Sequence, residues 1–264
     1  MFTNMSILKK KLRGVAWRIF NIIENNGVAD FKKNGEKIFI KNLIKNLKKY
    51  NKEVCFFDIG ANIGEYSAML NAYSKIYNLD INMHLFEPTK MCFEHLVKRF
   101  SGERGVFLNN FGVSDEECLT KIFYDDVKST LASLYKRNLK HYNIKLNNFE
   151  DIILKRMDYY IEDKKINHID FVKIDVEGHE LKVLLGFGKY LNNNFIDFIQ
   201  FEYGGANLDS HSSLMDIYEV FLDKQFVIAK VLPKGLEIRK YMPYMENFCY
   251  SNYVAISEEY LKKC

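Results

Sequence analysis

The stretch VCFFDIGANIG, at Val54–Gly64, decides the fold of this chain. Its first part is apolar on both faces, which is typical of a buried parallel strand, and Asp58 closes that strand. The glycines at the two ends of Gly60–Gly64 predict a tight turn that leads directly into a helix over Glu65–Tyr77. A glycine turn between a strand and a helix favours an anionic or carboxylate-bearing ligand at the helix N-terminus. The sequence therefore predicts an α/β sheet with a small molecule at its carboxyl edge.

A second acidic residue follows the next predicted strand. The β-like run Ile81–Phe86 ends at Glu87, which lies about 20 residues beyond Gly64, the usual position for a carboxylate that binds ribose hydroxyls. Asn62 stands where the middle glycine of the dinucleotide fingerprint would lie, so the spacing does not fit a typical NAD site. The residues alone therefore predict a nucleoside-binding α/β enzyme.

The segment His168–Glu180, HIDFVKIDVEGHE, carries a second concentration of ionisable groups. Asp175 ends a predicted central strand, and Glu177 and His179 follow in the turn and the start of a helix. Glu202 ends the neighbouring strand candidate, so two strand ends direct acids to one cleft. Capping of the following helix is the alternative interpretation for the residues after Asp175.

Four blocks, DIGANIGEYS, LFEP, RMDYYI and IDFVKIDVEGHELKVLLG, resemble in this order the FkbM family of S-adenosylmethionine-dependent methyltransferases, over roughly Val54 to Gly188. The resemblance implies a Rossmann-like class I methyltransferase fold. In that fold a mostly parallel seven-stranded sheet, its last strand antiparallel, has helices on both faces, and N-terminal helices precede it here. The family's usual chemistry is O-methylation of sugar or other hydroxyl groups.

The resemblance also implies residues that bind S-adenosylmethionine. The loop Gly60–Gly64 would wrap the methionine part with support from Asp58, Glu87 would bind the ribose, and the segment around Ser114 would hold the adenine. The predicted cofactor-binding residues are Asp58, Gly60, Ala61, Asn62, Gly64, Tyr66, Glu87, Ser114, Asp115 and Asp175.

Methyl transfer to a hydroxyl requires removal of a proton from the acceptor oxygen. His179 is the predicted base because an imidazole titrates near neutral pH, and Asp175 or Glu202 would orient it or bind substrate hydroxyls. With Glu177 these residues form the predicted catalytic set, and their alternative role as magnesium ligands is the less favoured one, so no metal is predicted. A nucleotide-binding oxidoreductase or a noncatalytic nucleoside-binding module is the alternative function.

Composition limits the remaining possibilities. The 264 residues are 48% hydrophobic and contain no evident linker, so we expect an N-terminal helical extension at 1–50 and one methyltransferase domain at 51–264. Five cysteines without paired metal spacing predict a cytoplasmic location. The net charge of +4 is too mild to indicate nucleic-acid binding, and no apolar run of about 18 residues predicts a membrane span. We expect a small-molecule or glycan acceptor, in surface polysaccharide assembly.

The N-terminal segment has an apolar stripe at helical spacing beside a cluster of basic residues. The favoured interpretation is a helix that packs on the domain or on a partner subunit, which leaves a homo-oligomer open. The alternative is weak peripheral attachment to anionic lipid. The stripe consists of Leu8, Leu12, Val15, Ala16, Ile19 and Ile23, and the basic residues are Lys9, Lys10, Lys11, Arg13 and Arg18.

Overall fold

A mostly parallel sheet of eight strands forms the centre of the protein. The computed structural model describes residues 5–50, 53–125, 131–137, 139–140 and 143–263. The strands in these ranges are β1 Val54–Ile59, β2 Ile81–Phe86, β3 Val106–Asn109, β4 Gly112–Val113, β5 Cys118–Tyr124, β6 Asn148–Lys155, β7 Ile169–Ile174, β8 Ile196–Tyr203, β9 Phe226–Leu232, β10 Gly235–Ile238 and β11 Ser251–Ser257. The α-helices are α1 Ile7–Ile23, α2 Glu36–Leu47, α3 Glu65–Tyr77, α4 Lys90–Arg99, α5 Met157–Lys164, α6 Glu180–Gly186, α7 Gly205–Ser210, α8 Leu214–Asp223 and α9 Glu258–Lys263.

The strand order confirms the predicted Rossmann-like methyltransferase sheet. The order is β10-β9-β11-β8-β7-β1-β2-β3, and β11 runs antiparallel to both β8 and β9. The predicted sheet had seven strands, whereas the structure adds β10, which forms a hairpin with β9 at the edge. The end of one strand also differs from the prediction. Glu202 was expected to end its strand, but β8 continues to Tyr203, so Glu202 lies within the strand and is paired with Asn252 of β11.

A smaller sheet of three strands, in the order β4-β6-β5, stands beside the main one. The sequence from Glu116 to Phe149 predicts a short antiparallel excursion and a loop, and β5 and β6 are antiparallel. The resemblance to the FkbM family also implies that Ser129–Leu134 lies near the ligand site. Ala132 and Leu134 do line the cavity described below, whereas Ser129 and Thr130 lie outside the described residues.

The alternation of side chains along the central strands explains why helices cover both faces. In β1, Phe57 joins one buried cluster, which also contains Val172 of β7, while Phe56 joins another, which contains Phe171. Because the side chains on both faces of the sheet are apolar, helices must cover both faces to keep these side chains away from water. Helix α2 contributes to the second cluster through residues such as Ile40. The division into an extension and a domain at residue 50 stays a prediction.

Helix α1 is not buried against the domain, so packing on a partner subunit is the part of the favoured interpretation that stays a prediction. None of its residues is buried, and near its end Phe20 contacts Tyr244 with ring centroids 6.1 Å apart. The apolar stripe is therefore exposed. No described helix combines the length and the apolar character needed to span a membrane.

Candidate active site

The loop after β1 lies against the end of β7. Gly60 has φ of +86°, and a Cβ atom on it would stand 1.9 Å from the backbone oxygen of Asp175. At Gly64, φ is +79° and a Cβ would stand 2.7 Å from the side chain of Leu96 in α4. Both positions therefore require glycine, since other residues would add strain and collide with their neighbours. The predicted turn is present, and its backbone closes the carboxyl edge of the sheet.

Glu87 holds this loop in place. One carboxylate oxygen, Oε2, accepts a hydrogen bond from the backbone N–H of Asn62 at 2.9 Å. The other, Oε1, accepts from the backbone N–H of Thr89 at 2.8 Å and from its hydroxyl at 2.5 Å. Burial raises the pKa of Glu87, although these hydrogen bonds favour the ionised form. Because a carboxylate oxygen has two acceptor sites, Oε2 retains accepting capacity for a ligand hydroxyl.

A cavity of about 770 Å³ opens beside this loop, within the range of small-molecule sites. The predicted site residues that line it are Gly60, Ala61, Asn62, Tyr66, Glu87, Asp175, Glu177 and His179. Five other predicted residues are not among its lining residues: Asp58, Gly64, Ser114, Asp115 and Glu202. Their positions indicate what each does instead.

Asp58 is buried next to the loop and does not line the cavity. It is 3% exposed, and its carboxylate accepts a hydrogen bond from the hydroxyl of Ser67 in the first turn of α3. Burial raises the pKa of Asp58 to about 6. Asp58 therefore joins the strand to the helix that follows the glycine turn.

Ser114 and Asp115, predicted near the adenine, face other side chains. The carboxylate of Asp115 pairs with the ammonium of Lys182 at 2.6 Å. The hydroxyl of Ser114 lies 3.0 Å from Nε2 of His179. The cavity wall at this strand end is formed by Gly112 and Val113.

A row of polar side chains crosses the sheet next to the cavity. Asp58, Lys173 and Gln200 stand side by side in register on β1, β7 and β8. Glu36, at the start of α2, covers this row, and its Oε2 accepts from Nε2 of Gln200 at 2.5 Å and lies 3.6 Å from Nζ of Lys173. Asn252 of β11 completes the group, since its Oδ1 lies 3.2 Å from Nζ of Lys173.

Lys173 is the central cation of this row. It is 2% exposed, and its Nζ lies 3.3 Å from Oδ2 of Asp175. Burial alone would lower the pKa of Lys173, but Asp175 and Glu36 outweigh it and hold that pKa well above its usual value. The ammonium is also 5.3 Å from the ring centre of Tyr66, whose hydroxyl donates to Gln200 at 2.6 Å. Lys173 therefore stays charged and links the sheet interior to the cavity wall.

Three carboxylates lie close together next to Lys173. Oxygen atoms of Asp175, Glu177 and Glu202 lie within 4.8 Å of one another. Arg137 donates to Oε2 of Glu177 at 2.6 Å. Burial is the main cause that raises the pKa of both Glu177 and Glu202, and repulsion from the neighbouring carboxylates adds to it. Lys173 pairs with Asp175 and Arg137 pairs with Glu177, so two cations lie against this cluster.

His179 is enclosed by hydroxyl groups. Its Nδ1 lies 2.9 Å from the hydroxyl of Tyr135, and its Nε2 lies 3.0 Å from that of Ser114. Burial lowers the pKa of His179 to about 4, so its ring is neutral at physiological pH. Both ring nitrogens are engaged, which makes His179 a link between three segments of the site.

Sequence reasoning missed the residues that surround the acids. Glu36, Tyr250 and Lys173 line the cavity, and Arg137 pairs with Glu177, yet none was predicted as a site residue. One signal was available, because a lysine inside the apolar run Ile169–Ile174 must find buried partners.

The fold and the cavity define a Rossmann-like enzyme of the methyltransferase class. The family model described as "Methyltransferase FkbM domain" matches residues 58–251, well over half of the chain. The chain therefore belongs to the FkbM methyltransferase family, and S-adenosylmethionine is its cofactor. This favours the predicted methyltransferase over the oxidoreductase and noncatalytic alternatives.

Several solved structures are similar to this chain at low identity. An FkbM methyltransferase from Methylobacillus flagellatus has 16% identity and a TM-score of 0.49, over 77% of this chain and 43% of that chain. Aeropyrum pernix fibrillarin, solved with bound S-adenosyl-L-methionine, has 10% identity and a TM-score of 0.42, over 77% and 66% of the two chains. The N-terminal domain of human METTL16 has 11% identity and a TM-score of 0.42, over 82% and 66%. This chain thus spans less than half of the Methylobacillus chain, and no curated protein matches it.

The cavity residues are chemically compatible with S-adenosylmethionine. Gly60 permits close approach of a ligand to the backbone, and Glu87 retains accepting capacity for ribose hydroxyls. The oxygen atoms of Asp175, Glu177 and Glu202 offer hydrogen-bond acceptors for the amino group of the cofactor.

Proposed function

We propose that the protein methylates a hydroxyl oxygen of a sugar, a glycan or a nucleotide-linked precursor in surface polysaccharide assembly. The observation that carries this proposal is the carboxylate cluster of Asp175, Glu177 and Glu202 beside the cavity. Carboxylates accept hydrogen bonds from several hydroxyls at once, which suits a polyhydroxylated acceptor. When bound, S-adenosylmethionine supplies an electrophilic methyl group.

The same cluster suits removal of the acceptor proton. A general base works best when its pKa lies near the operating pH. Burial and repulsion from the neighbouring carboxylates raise the pKa of Glu177 to about 8 and raise that of Glu202 well above its usual value. Glu177 is paired with Arg137, whereas Glu202 has no described ion pair and its carboxylate lies within 4.8 Å of the cavity-lining Asp175 and Glu177, so we assign proton acceptance to Glu202. Asp175, held by Lys173, would bind acceptor hydroxyls.

We assign His179 a positioning role instead of the role of base. Its pKa of about 4 makes it a weak proton acceptor at neutral pH, and hydroxyls occupy both ring nitrogens. For the cofactor we retain the predicted roles of Gly60–Gly64 at the methionine part and Glu87 at the ribose. Gly112 and Val113 replace Ser114 and Asp115 as the proposed neighbours of the adenine.

The proposed acceptor is tested with S-adenosylmethionine that carries a labelled methyl group. The protein is incubated with panels of nucleotide sugars and oligosaccharides, and the products are analysed by mass spectrometry. Peptides and nucleobases serve as nitrogen acceptors in parallel. Label on a sugar oxygen supports the proposal, and transfer to nitrogen alone contradicts it.

The assignment of the base is tested with Glu202→Gln and His179→Gln in the same assay. We expect Glu202→Gln to lower kcat by at least about a hundredfold with little change in cofactor affinity. His179→Gln retains hydrogen-bonding groups and should lose less. The control Glu162→Gln alters an exposed carboxylate that pairs with Lys189. A greater loss of kcat in His179→Gln than in Glu202→Gln would return the role of base to the histidine.

The location is proposed as cytoplasmic. Cys55, Cys118 and Cys249 are free thiols in the structure, which is the usual state in a reducing compartment.

A further inference from the structure

Helix α1 carries a continuous apolar face that nothing in the described protein covers. At 100° per residue, the large aliphatic side chains of α1 other than Ile7 fall on one side of the helix. Their exposed fractions range from 53% to 79%. We call this surface the α1 apolar face, and it consists of Leu8, Leu12, Val15, Ile19, Ile22 and Ile23.

Positive charge borders this face and no negative charge accompanies it. Lys11 and Arg18 flank one edge of the α1 apolar face, Lys9 flanks the other, and Lys10 lies nearly opposite its centre. The sequence from Met5 to Ile23 contains no aspartate or glutamate. The arrangement is that of a helix that lies in an anionic lipid interface, with its aliphatic side inserted and its basic side chains at the headgroups.

The helix is fixed to the protein at its C-terminal end. Glu24, directly after α1, is 7% exposed, and its carboxylate pairs with Arg239 and with Lys230, the latter at 3.2 Å. The backbone N–H of Gly27 donates to the backbone oxygen of Tyr250 at 2.8 Å. The α1 apolar face is therefore presented from a fixed point of the fold.

We propose that α1 binds the surface of an anionic phospholipid membrane. A second copy of the chain fits this face less well, because pairing of two such helices would bring their basic borders together without an acidic partner on α1. Ala29 and Phe31, shortly after the helix, line the cavity, so membrane binding would hold the cavity near the lipid. This inference goes beyond the proposed reaction and does not depend on the acceptor.

The test is co-sedimentation of the full chain with vesicles. One set of vesicles contains phosphatidylcholine alone, and the other contains equal parts of phosphatidylcholine and phosphatidylglycerol. We expect binding to the anionic vesicles, weakened by high salt, and much weaker binding to the neutral ones.

Two double variants separate the apolar and the electrostatic contributions. Leu12→Ser with Ile19→Ser, and Lys11→Glu with Arg18→Glu, should each weaken binding to anionic vesicles by about tenfold or more. Lys10→Glu is the matched control, since it also reverses a charge on α1 but away from the face, and it should have the smaller effect. Cofactor affinity should not change in any variant, which shows that the fold is intact.

Three results would overturn the proposal. The first is absence of binding to anionic vesicles, and the second is equal binding to neutral and anionic ones. The third is a concentration-dependent dimer in analytical ultracentrifugation that Leu12→Ser with Ile19→Ser dissociates while vesicle binding is unchanged. That last result would assign the α1 apolar face to a second copy of the chain.

Discussion

Replacement of Lys173 by methionine should destabilise the protein strongly at neutral pH. The ammonium is buried, with Asp175 at 3.3 Å and Glu36 at 3.6 Å, and methionine occupies a similar volume without the charge. Breaking a buried ion pair by removal of one partner costs about 3 to 5 kcal/mol, because the remaining charge stays desolvated and uncompensated. The free energy of unfolding, measured by urea titration with circular dichroism, should fall by that amount.

The cause of this loss can be separated from a simple packing defect. Lys173→Met with Glu36→Gln removes one of the stranded charges, so the double variant should recover part of the lost stability. The loss in the single variant should also shrink near pH 4, where carboxylates begin to take up protons. A packing defect would show neither behaviour.

The matched control is Lys182→Met. Lys182 also pairs with a carboxylate, that of Asp115 at 2.6 Å, but its side chain is 48% exposed. An exposed pair contributes less than about 1 kcal/mol, so this variant should unfold almost as the parent protein does. If Lys173→Met costs no more than Lys182→Met, or if its loss is independent of pH, the buried row is not the electrostatic centre described above.

Three further predictions follow from the same region. Gly60→Ala should lower the free energy of unfolding in urea by more than about 2 kcal/mol, because the added Cβ would collide with the backbone of Asp175. In the control Gly102→Ala, φ is +80° but no atom lies within 4 Å of the added Cβ, so the loss should be about 1 kcal/mol. Equal losses in the two variants would refute the collision. Burial raises the pKa of Glu180 from 4.5 to about 7, so its contribution to stability is complete below pH 4.5 and lost as the pH rises through 7, by about 3 kcal/mol. Glu180→Gln should remove this part of the pH dependence of the urea midpoint, and an unchanged profile would contradict the shift. Glu87→Ala should weaken S-adenosylmethionine binding by at least about tenfold in calorimetry, and unchanged affinity would remove Glu87 from the cofactor site.

Local patterns in the sequence were sufficient to predict the frame of the fold. Helix α3 begins and ends where the periodicity of Glu65–Tyr77 predicts, because amphipathic spacing is a short-range signal. The glycine turn was predictable because it also depends on a few residues that are close together in the sequence. The end of β8 was not, since Glu202 is held in the ladder by Asn252 from a strand much later in the chain.

The partners of the candidate site were also beyond local prediction. Glu36 meets Lys173 and Gln200 only because α2 packs over the sheet, and Arg137 reaches Glu177 from the segment between β5 and β6. One sequence contains no record of such distant contacts. The acids themselves were predictable, because parallel strands deliver their ends to one edge.

The choice between histidine and carboxylate as the base depends on what burial does to each group. An imidazole is attractive from sequence because its ordinary pKa lies near neutrality. Burial disfavours the charged form, so it moves the pKa of His179 down to about 4 and moves those of Glu177 and Glu202 upwards. The same desolvation therefore takes the histidine out of the useful range and makes both carboxylates more basic. In a site this enclosed, the stronger candidate for proton acceptance is the carboxylate that has no described ion pair, Glu202.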